Sequence, residues 1–481
     1  RDLHLSLRRQ RQMCIRDSSS SAQIELSNLF SNNMVLQQRS DVGIWGTAIK
    51  GKEIIITPSW SNQKFTTKVK NDGSWYQEIK TPKAGGPYSM LIICEDDTKN
   101  LENILIGEVW VASGQSNMEM TLSGSNREPV IGSLDLIAKS KNSNIRLFTV
   151  KNSSNNSPTK NLEGNWSVSS PSSAANFSAV GYSFASYLNE VLDIPIGIIN
   201  SSWGGSPAEA WTDKKSLDDN FKKSEIKNNH KDNAVHHNPS GLFNGMIAPL
   251  IPFKIKGAIW YQGESNTGRA SSYTKLMNTL IKGWRNQWQQ GDFPFYFVQI
   301  APNGSLGQGN GTSQAFLREA QLRTMLSVEN TGMAVTLDVG STITNHPQEK
   351  IIVGKRLAYW ALAKNYDFNT LPFSGPVYES MEVRKNKVFV NFKYANNGVT
   401  SFGKPLTGFE IAGSDKVFHE ADATINPHWS ATWKERSVLV LKSNKVVNPV
   451  YIRYGWKNYI KGNLYNVEGL PASSFRSYSF D

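Results

Sequence analysis

Along the first hundred residues, apolar and polar positions alternate in short runs broken by turn residues. "NMVLQQ", "DVGIWG", "KEIIITPSW", "QKFTTKVK", "GSWYQEI" and "YSMLIICED" follow one another, with "NDGSW" and "KAGGPY" as turn signals between them. Period-two alternation with this punctuation predicts short antiparallel strands, so residues 24–105 read as a small β-sandwich region. From 106 to about 370 the pattern changes. Continuous apolar stretches ("ILIGEVWVAS", "IPIGIINSS", "IKGAIWYQG", "PFYFVQIA", "GMAVTLDVG") now alternate with segments of helical period ("SSYTKLMNTLIKGWRNQW", "QAFLREAQLRTML", "EKIIVGKRLAYWALAKNY"). Strands without a polar face, separated by helices, predict an α/β domain with a doubly wound, mostly parallel sheet. After 370 the β-type grammar returns in "KVFVNFKY", "GFEIAG", "RSVLVLKS" and "YIRYGW", predicting a C-terminal β region over 371–481.

The opening 23 residues stand apart. Five Arg (1, 8, 9, 11, 16) face two Asp (2, 17), and no continuous apolar core of a secretory signal is present. This stretch reads as a disordered or non-native extension and is left out of the fold prediction.

In doubly wound sheets, sites form at the carboxyl ends of strands. Four of the predicted strands end in unusual polar or glycine-rich loops: "SGQSNM" (113–118), "NSSWGGSPAEAW" (200–211), "WYQGESN" (260–266) and "LDVGSTITNHP" (337–347). Together they offer a serine, a glycine pair, a glutamine and a histidine, the inventory of acyl transfer. A serine hydroxyl needs an adjacent base to become nucleophilic, and its tetrahedral intermediate needs preorganised donors. Ser116 is the candidate nucleophile and His346 the candidate base. The Ser116 and Gly204 or Gly205 backbone N–H groups and the Gln262 amide are the candidate oxyanion donors. Ser265, in the similar turn "GESN", is the weaker candidate nucleophile. The spacing "GQSNM" lacks the second glycine of a G-x-S-x-G elbow. His236 and His237 read as pocket wall, and Asp338 as a strand-end acceptor. Trp203, Trp211 and Trp260 flank these loops, where sugar stacking and core packing explain them equally well.

Composition narrows the class. Fourteen Trp, 11% aromatic residues and only 19% charged residues suit a carbohydrate-handling protein, and equally a large β-rich protein of another kind. Two cysteines supply neither a disulfide framework nor a zinc site. The net charge of +12 is dispersed rather than clustered, which argues against a nucleic-acid surface. No apolar run reaches spanning length, which argues against membrane insertion.

The motifs "GEVWVASGQSNMEM", "NSSWGGSPAEAW", "PSGLFNGMIAPLIPFKIKGAIWYQGESN", "HPQEKIIVGKRLA" and the closing "IRYGWKNYIKGNLYNVEGLPASSFRS" occur in order. Together they resemble the sialate O-acetylesterase family, SGNH-type carbohydrate esterases that include acetylxylan esterase-like members. The resemblance covers residues 24–481 and implies a flavodoxin-like SGNH esterase domain. It further implies Ser116 as nucleophile, His346 as base, and oxyanion donors at Ser116, Gly204, Gly205 and Gln262. It implies no cofactor and no metal, an acetylated sugar or glycan as substrate, and a secreted or periplasmic location. One departure matters. Family members read Asp-Ile-His-Pro, sometimes with Asn first, where this chain has Thr344-Asn345-His346-Pro347. A carboxylate that fixes the imidazole tautomer is thereby missing from its expected place. Glu264, Asp338 or a backbone carbonyl are the replacements considered, and Glu264 is favoured because its loop also carries Gln262. The alternative is a catalytically impaired carbohydrate-binding protein on the esterase scaffold.

Overall fold

The computed structural model describes residues 24–125, 127–226, 234–425 and 438–478. The opening 23-residue extension lies outside them. Among the described residues the central sheet has eleven strands, and its main run of seven is formed by β1 (Asp97–Gly114), β2 (Asn142–Thr149), β3 (Trp166–Ser169), β4 (Ile196–Ser202), β5 (Gly257–Tyr261), β6 (Phe295–Val298) and β7 (Thr331–Ala334). The order of that run is β3-β2-β4-β1-β5-β6-β7, parallel throughout except for the antiparallel edge strand β3. This is the doubly wound sheet expected from the uninterrupted apolar strands.

Both faces of the sheet are covered. Val109 and Val111 of β1 point into one apolar cluster, Trp110 and Ala112 into the other, and all four are fully buried. Helices α2 (Ala179–Leu192) and α5 (Lys350–Asn365) pack on the Trp110 side, while α3 (Ala270–Trp288) and α4 (Ser313–Ser327) pack on the Val109 side. Helix α3 shows why the sequence folds this way. Tyr273, Leu276, Met277, Leu280, Ile281, Trp284 and Trp288 recur at helical spacing and form its buried stripe.

β1 is 18 residues long and belongs to two structures. Its first half pairs antiparallel with Gly85–Cys94 in the N-terminal β region, up to Ile106. From Glu108 onward it pairs in parallel with β4. The rest of the N-terminal region is a three-stranded sheet of Glu25–Leu26, Asp41–Thr47 and Ser74–Lys80, together with Val35–Gln37, which pairs in parallel with β1, and the strands Glu53–Pro58 and Phe65–Lys68. Among the described residues, the C-terminal region holds two four-stranded sheets and one two-stranded sheet. It is tied to the central domain by Arg318 of α4. Fully buried, Arg318 donates to Ser474 Oγ (2.9 Å) and to the Gly455 carbonyl (2.9 Å), and burial depresses its pKa to about 9. Among the described residues, no helix is long and apolar enough to cross a membrane.

The strand order places the site. β1 is central, β4 lies on one side of it and β5 on the other. The chain leaves β1 at the carboxyl edge of the sheet, where doubly wound sheets form their sites.

Candidate active site

β1 ends at Gly114, whose φ of +134° is a conformation that side-chain-bearing residues rarely adopt. A Cβ there would lie 2.1 Å from the Tyr261 carbonyl oxygen at the end of β5. Only glycine lets the chain turn this sharply between two strands. The turn delivers Ser116 as the first residue of the one-turn helix α1 (Ser116–Glu119), half-buried.

The loop after β7 arrives from the other side. Its half-buried His346 places Nε2 2.8 Å from Ser116 Oγ. The imidazole Nδ1 lies 2.6 Å from Glu128 Oε2, and these two side chains keep 23% and 22% of their surface exposed. Glu128 sits on a narrow turn closed by reciprocal backbone hydrogen bonds with Ser125 (3.1 and 2.7 Å). Its other oxygen, Oε1, accepts from the Thr344 hydroxyl, which in turn accepts from the His346 backbone N–H (3.0 Å). Hydroxyl, imidazole and carboxylate therefore form one hydrogen-bonded line.

The acid on His346 is thus Glu128, and Glu264 needs correction. Both imidazole nitrogens are taken by Ser116 and Glu128, so Glu264 makes no hydrogen bond to the ring. Glu264 Oε1 instead accepts from Asn117 Nδ2 at 2.6 Å, and burial raises its pKa. Asp338 is held by Arg356 in a bidentate pair (2.8 and 2.6 Å). Thr344 accounts for the departure from the Asp-Ile-His-Pro pattern. It brings no charge itself, but it clasps the carboxylate that a separate loop provides.

The oxyanion donors also need correction. Gln262 is fully buried, with Nε2 donating to Ser206 O (3.2 Å) and Asn266 Oδ1 (2.7 Å), and Oε1 accepting from Tyr273 (2.8 Å). Its amide is committed to the loop interior, where an unpaired polar group would cost more than the hydrogen bonds it makes there. The Gly204 N–H donates to Glu119 Oε2 at 2.6 Å. Gly204 nevertheless lies against Ser116, since a Cβ on it would come within 3.4 Å of Ser116 Cβ. Among the described residues, the Ser116 and Gly205 N–H groups have no hydrogen-bond partner. Gly205 is exposed, with φ +74°.

The remaining candidates sort by burial. Ser265 is a turn serine, with its hydroxyl donating to the Gly205 carbonyl at 2.8 Å. Trp211 and Trp260 are fully buried and meet edge to face at 6.1 Å, so they belong to the core. Trp203 is partly exposed beside Gly204 and stacks on His236 at 5.2 Å, with His237 4.1 Å beyond. Sequence reasoning missed Glu128, Glu119, Asn117 and Lys350. Glu128 carries no signal in a single sequence, lying in a polar loop 218 positions from its histidine.

Fold and site together are those of a carboxylic ester hydrolase on a doubly wound sheet. Comparison with known proteins agrees. The family model for carbohydrate esterases of the sialic acid-specific acetylesterase type matches residues 106–362. The chain is 30% identical to the sialate O-acetylesterase of Rattus norvegicus, over 90% of this chain and 89% of that one. It is 28% identical to that of Mus musculus, over 92% and 91%. The crystal structure of a carbohydrate acetylesterase from Xanthomonas citri matches with a TM-score of 0.86 at 32% identity, covering 95% of this chain and all of that one. The chain belongs to the sialic acid-specific acetylesterase family of carbohydrate esterases. Its reaction is removal of O-acetyl groups from sugars.

Proposed function

We propose that Ser116, His346 and Glu128 carry out this deacetylation. Ser116 Oγ attacks the ester carbonyl carbon as its proton passes to His346 Nε2. The tetrahedral intermediate collapses, the C–O bond to the sugar breaks, and the sugar oxygen takes the proton back from His346. A water molecule then attacks the acetyl-serine, again giving its proton to His346, and acetate leaves as Ser116 is reprotonated. Glu128 holds the imidazole with Nδ1 protonated and stabilises the imidazolium formed at each step. The Ser116 and Gly205 N–H groups are the oxyanion donors in this reading, each worth roughly 3–4 kcal/mol of barrier. Glu119 serves them by pinning the neighbouring Gly204 N–H and with it the glycine turn.

The observation that carries the reading is the unbroken contact from Ser116 Oγ through His346 to Glu128, at 2.8 and 2.6 Å. The same carboxylate removes the ground for a non-catalytic binding protein, which rested on a missing acid. The acetylated sugar lies against Trp203 beside Gly204, an apolar ring face suited to a sugar ring. Export to the periplasm or medium is part of the reading and rests on family membership.

Acetate release from 9-O-acetylated sialic acid and acetylated xylan, by wild type and Ser116→Ala, tests the proposal. Release by the wild type and its loss in the variant is the expected result. A folded wild type no more active than Ser116→Ala on every ester would defeat it.

A further inference from the structure

Directly behind the nucleophile lies a polar cluster that the reaction above does not use. Asn117 is fully buried, and its carboxamide makes three hydrogen bonds. Nδ2 donates to Glu264 Oε1 (2.6 Å) and to the Asn345 carbonyl (3.0 Å), and Oδ1 accepts from Lys350 Nζ. The partners come from three further places: the loop after β5, the residue preceding His346, and the first turn of α5. One side chain thus joins the turn that bears Ser116 to the turn that bears His346.

We propose that Asn117 is a positioning residue, holding His346 Nε2 against Ser116 through the Asn345 carbonyl, while Glu264 and Lys350 lock its carboxamide in the required orientation. The inference rests on the Ser116–His346 reading of the site.

The locking follows from donor and acceptor chemistry. A carboxamide can rotate half a turn with little change of shape, exchanging its acceptor oxygen and donor nitrogen. Lysine offers only donors, so it demands the oxygen. The Glu264 oxygen facing Asn117 demands a donor. Only one of the two orientations satisfies both, and that one also aims an N–H at Asn345. The reverse would press NH2 against an ammonium group and C=O against a carboxylate, and would leave buried polar groups unpaired.

The lock does not depend on where the proton of the cluster sits. Burial drives Lys350 down to about 7 and Glu264 upward, each shift favouring the neutral form. Neutral lysine still donates. A glutamic acid protonated on Oε2, the oxygen that lacks a partner, still accepts at Oε1. Buried ionisable pairs rarely add stability over apolar packing, and orientation of Asn117 is a use that apolar residues could not supply.

The test uses turnover of 4-nitrophenyl acetate by the full chain. Asn117→Ala is expected to lower kcat about 100-fold, the scale of a 1 Å misplacement, with KM changed less than about twofold. In a His346→Ala background the same substitution is expected to cost less than about twofold more, because the group it positions is gone. Glu264→Ala is expected to lose kcat, and Glu264→Gln, which keeps an acceptor for Asn117, to retain it within about threefold. Should Asn117→Ala fail to fold, the Glu264 pair decides. Unchanged kcat in Asn117→Ala or Glu264→Ala, or penalties that multiply in full with His346→Ala, would overturn the proposal. A wild type inactive on every acetyl ester would instead overturn the esterase reading on which it stands.

Discussion

Glu128→Gln isolates the charge on the acid member with little change in shape. In the transition state His346 is an imidazolium, and its charge centre lies about 4 Å from that of the carboxylate, where Coulomb attraction is about 4 kcal/mol at an effective dielectric of 20. Both side chains keep about a fifth of their surface exposed. Solvent screening therefore reduces the useful part to about 2–3 kcal/mol. At 1.36 kcal/mol per decade, that predicts a fall in kcat of about 30- to 150-fold, with KM little changed. If the new amide instead turns its NH2 toward the ring, it favours the opposite tautomer and the loss grows toward about 10⁴-fold. The assay is steady-state acetate release by purified Glu128→Gln, with folding checked by circular dichroism. A variant within about threefold of wild type would refute the assignment of Glu128 and return the search to other carboxylates.

Four further outcomes follow from the geometry. Thr344→Val removes the hydroxyl that clasps Glu128 and caps the His346 N–H; kcat should fall about 10-fold, the cost of one charge-assisted hydrogen bond, and wild-type kcat would count against the clasp. Trp203→Ala should raise KM for an acetylated glycan several-fold while leaving 4-nitrophenyl acetate turnover nearly unchanged, as loss of one stacking platform worth about 1 kcal/mol predicts. Gly114→Ala should destabilise the fold by several kcal/mol, read as a lowered midpoint in urea, because its Cβ has no room beside Tyr261 O. Lys350 has a folded pKa of about 7 against 10.5 when unfolded. Between those values the unfolded chain binds more protons, so its contribution to stability increases as pH rises from 7 toward 10. Thermal scans of Lys350→Met should show a smaller rise across that window than wild type.

The fold was largely legible in the sequence because its signals are local. A strand buried on both faces must be apolar throughout, as "ILIGEVWV" is, and a helix packed on a sheet must carry a stripe, as Tyr273 to Trp288 do. Ser116 and His346 were legible because both sit in loops that leave predicted strands. Glu128 was not, because its loop has no period and its meeting with His346 depends on how a long connection folds back. Glu264 misled for a related reason. It stands in the right loop, but its side chain turns inward to Asn117, and sequence gives no side-chain direction beyond a strand's end. Gln262 and Gly204 are in the right loops too, yet each spends its N–H on a neighbour that no spacing rule announces.

The 18-residue strand that ends two residues before Ser116 makes the N-terminal region continuous with the proposed site. Cutting the chain at 106 would amputate that strand midway, removing its antiparallel-paired first half and with it Ile104 and Leu105, which now lie in the core. The esterase is therefore not a portable module with an accessory lobe attached. Grafting or trimming designs should keep the N-terminal region from residue 24 with the central domain, because one strand pairs in both.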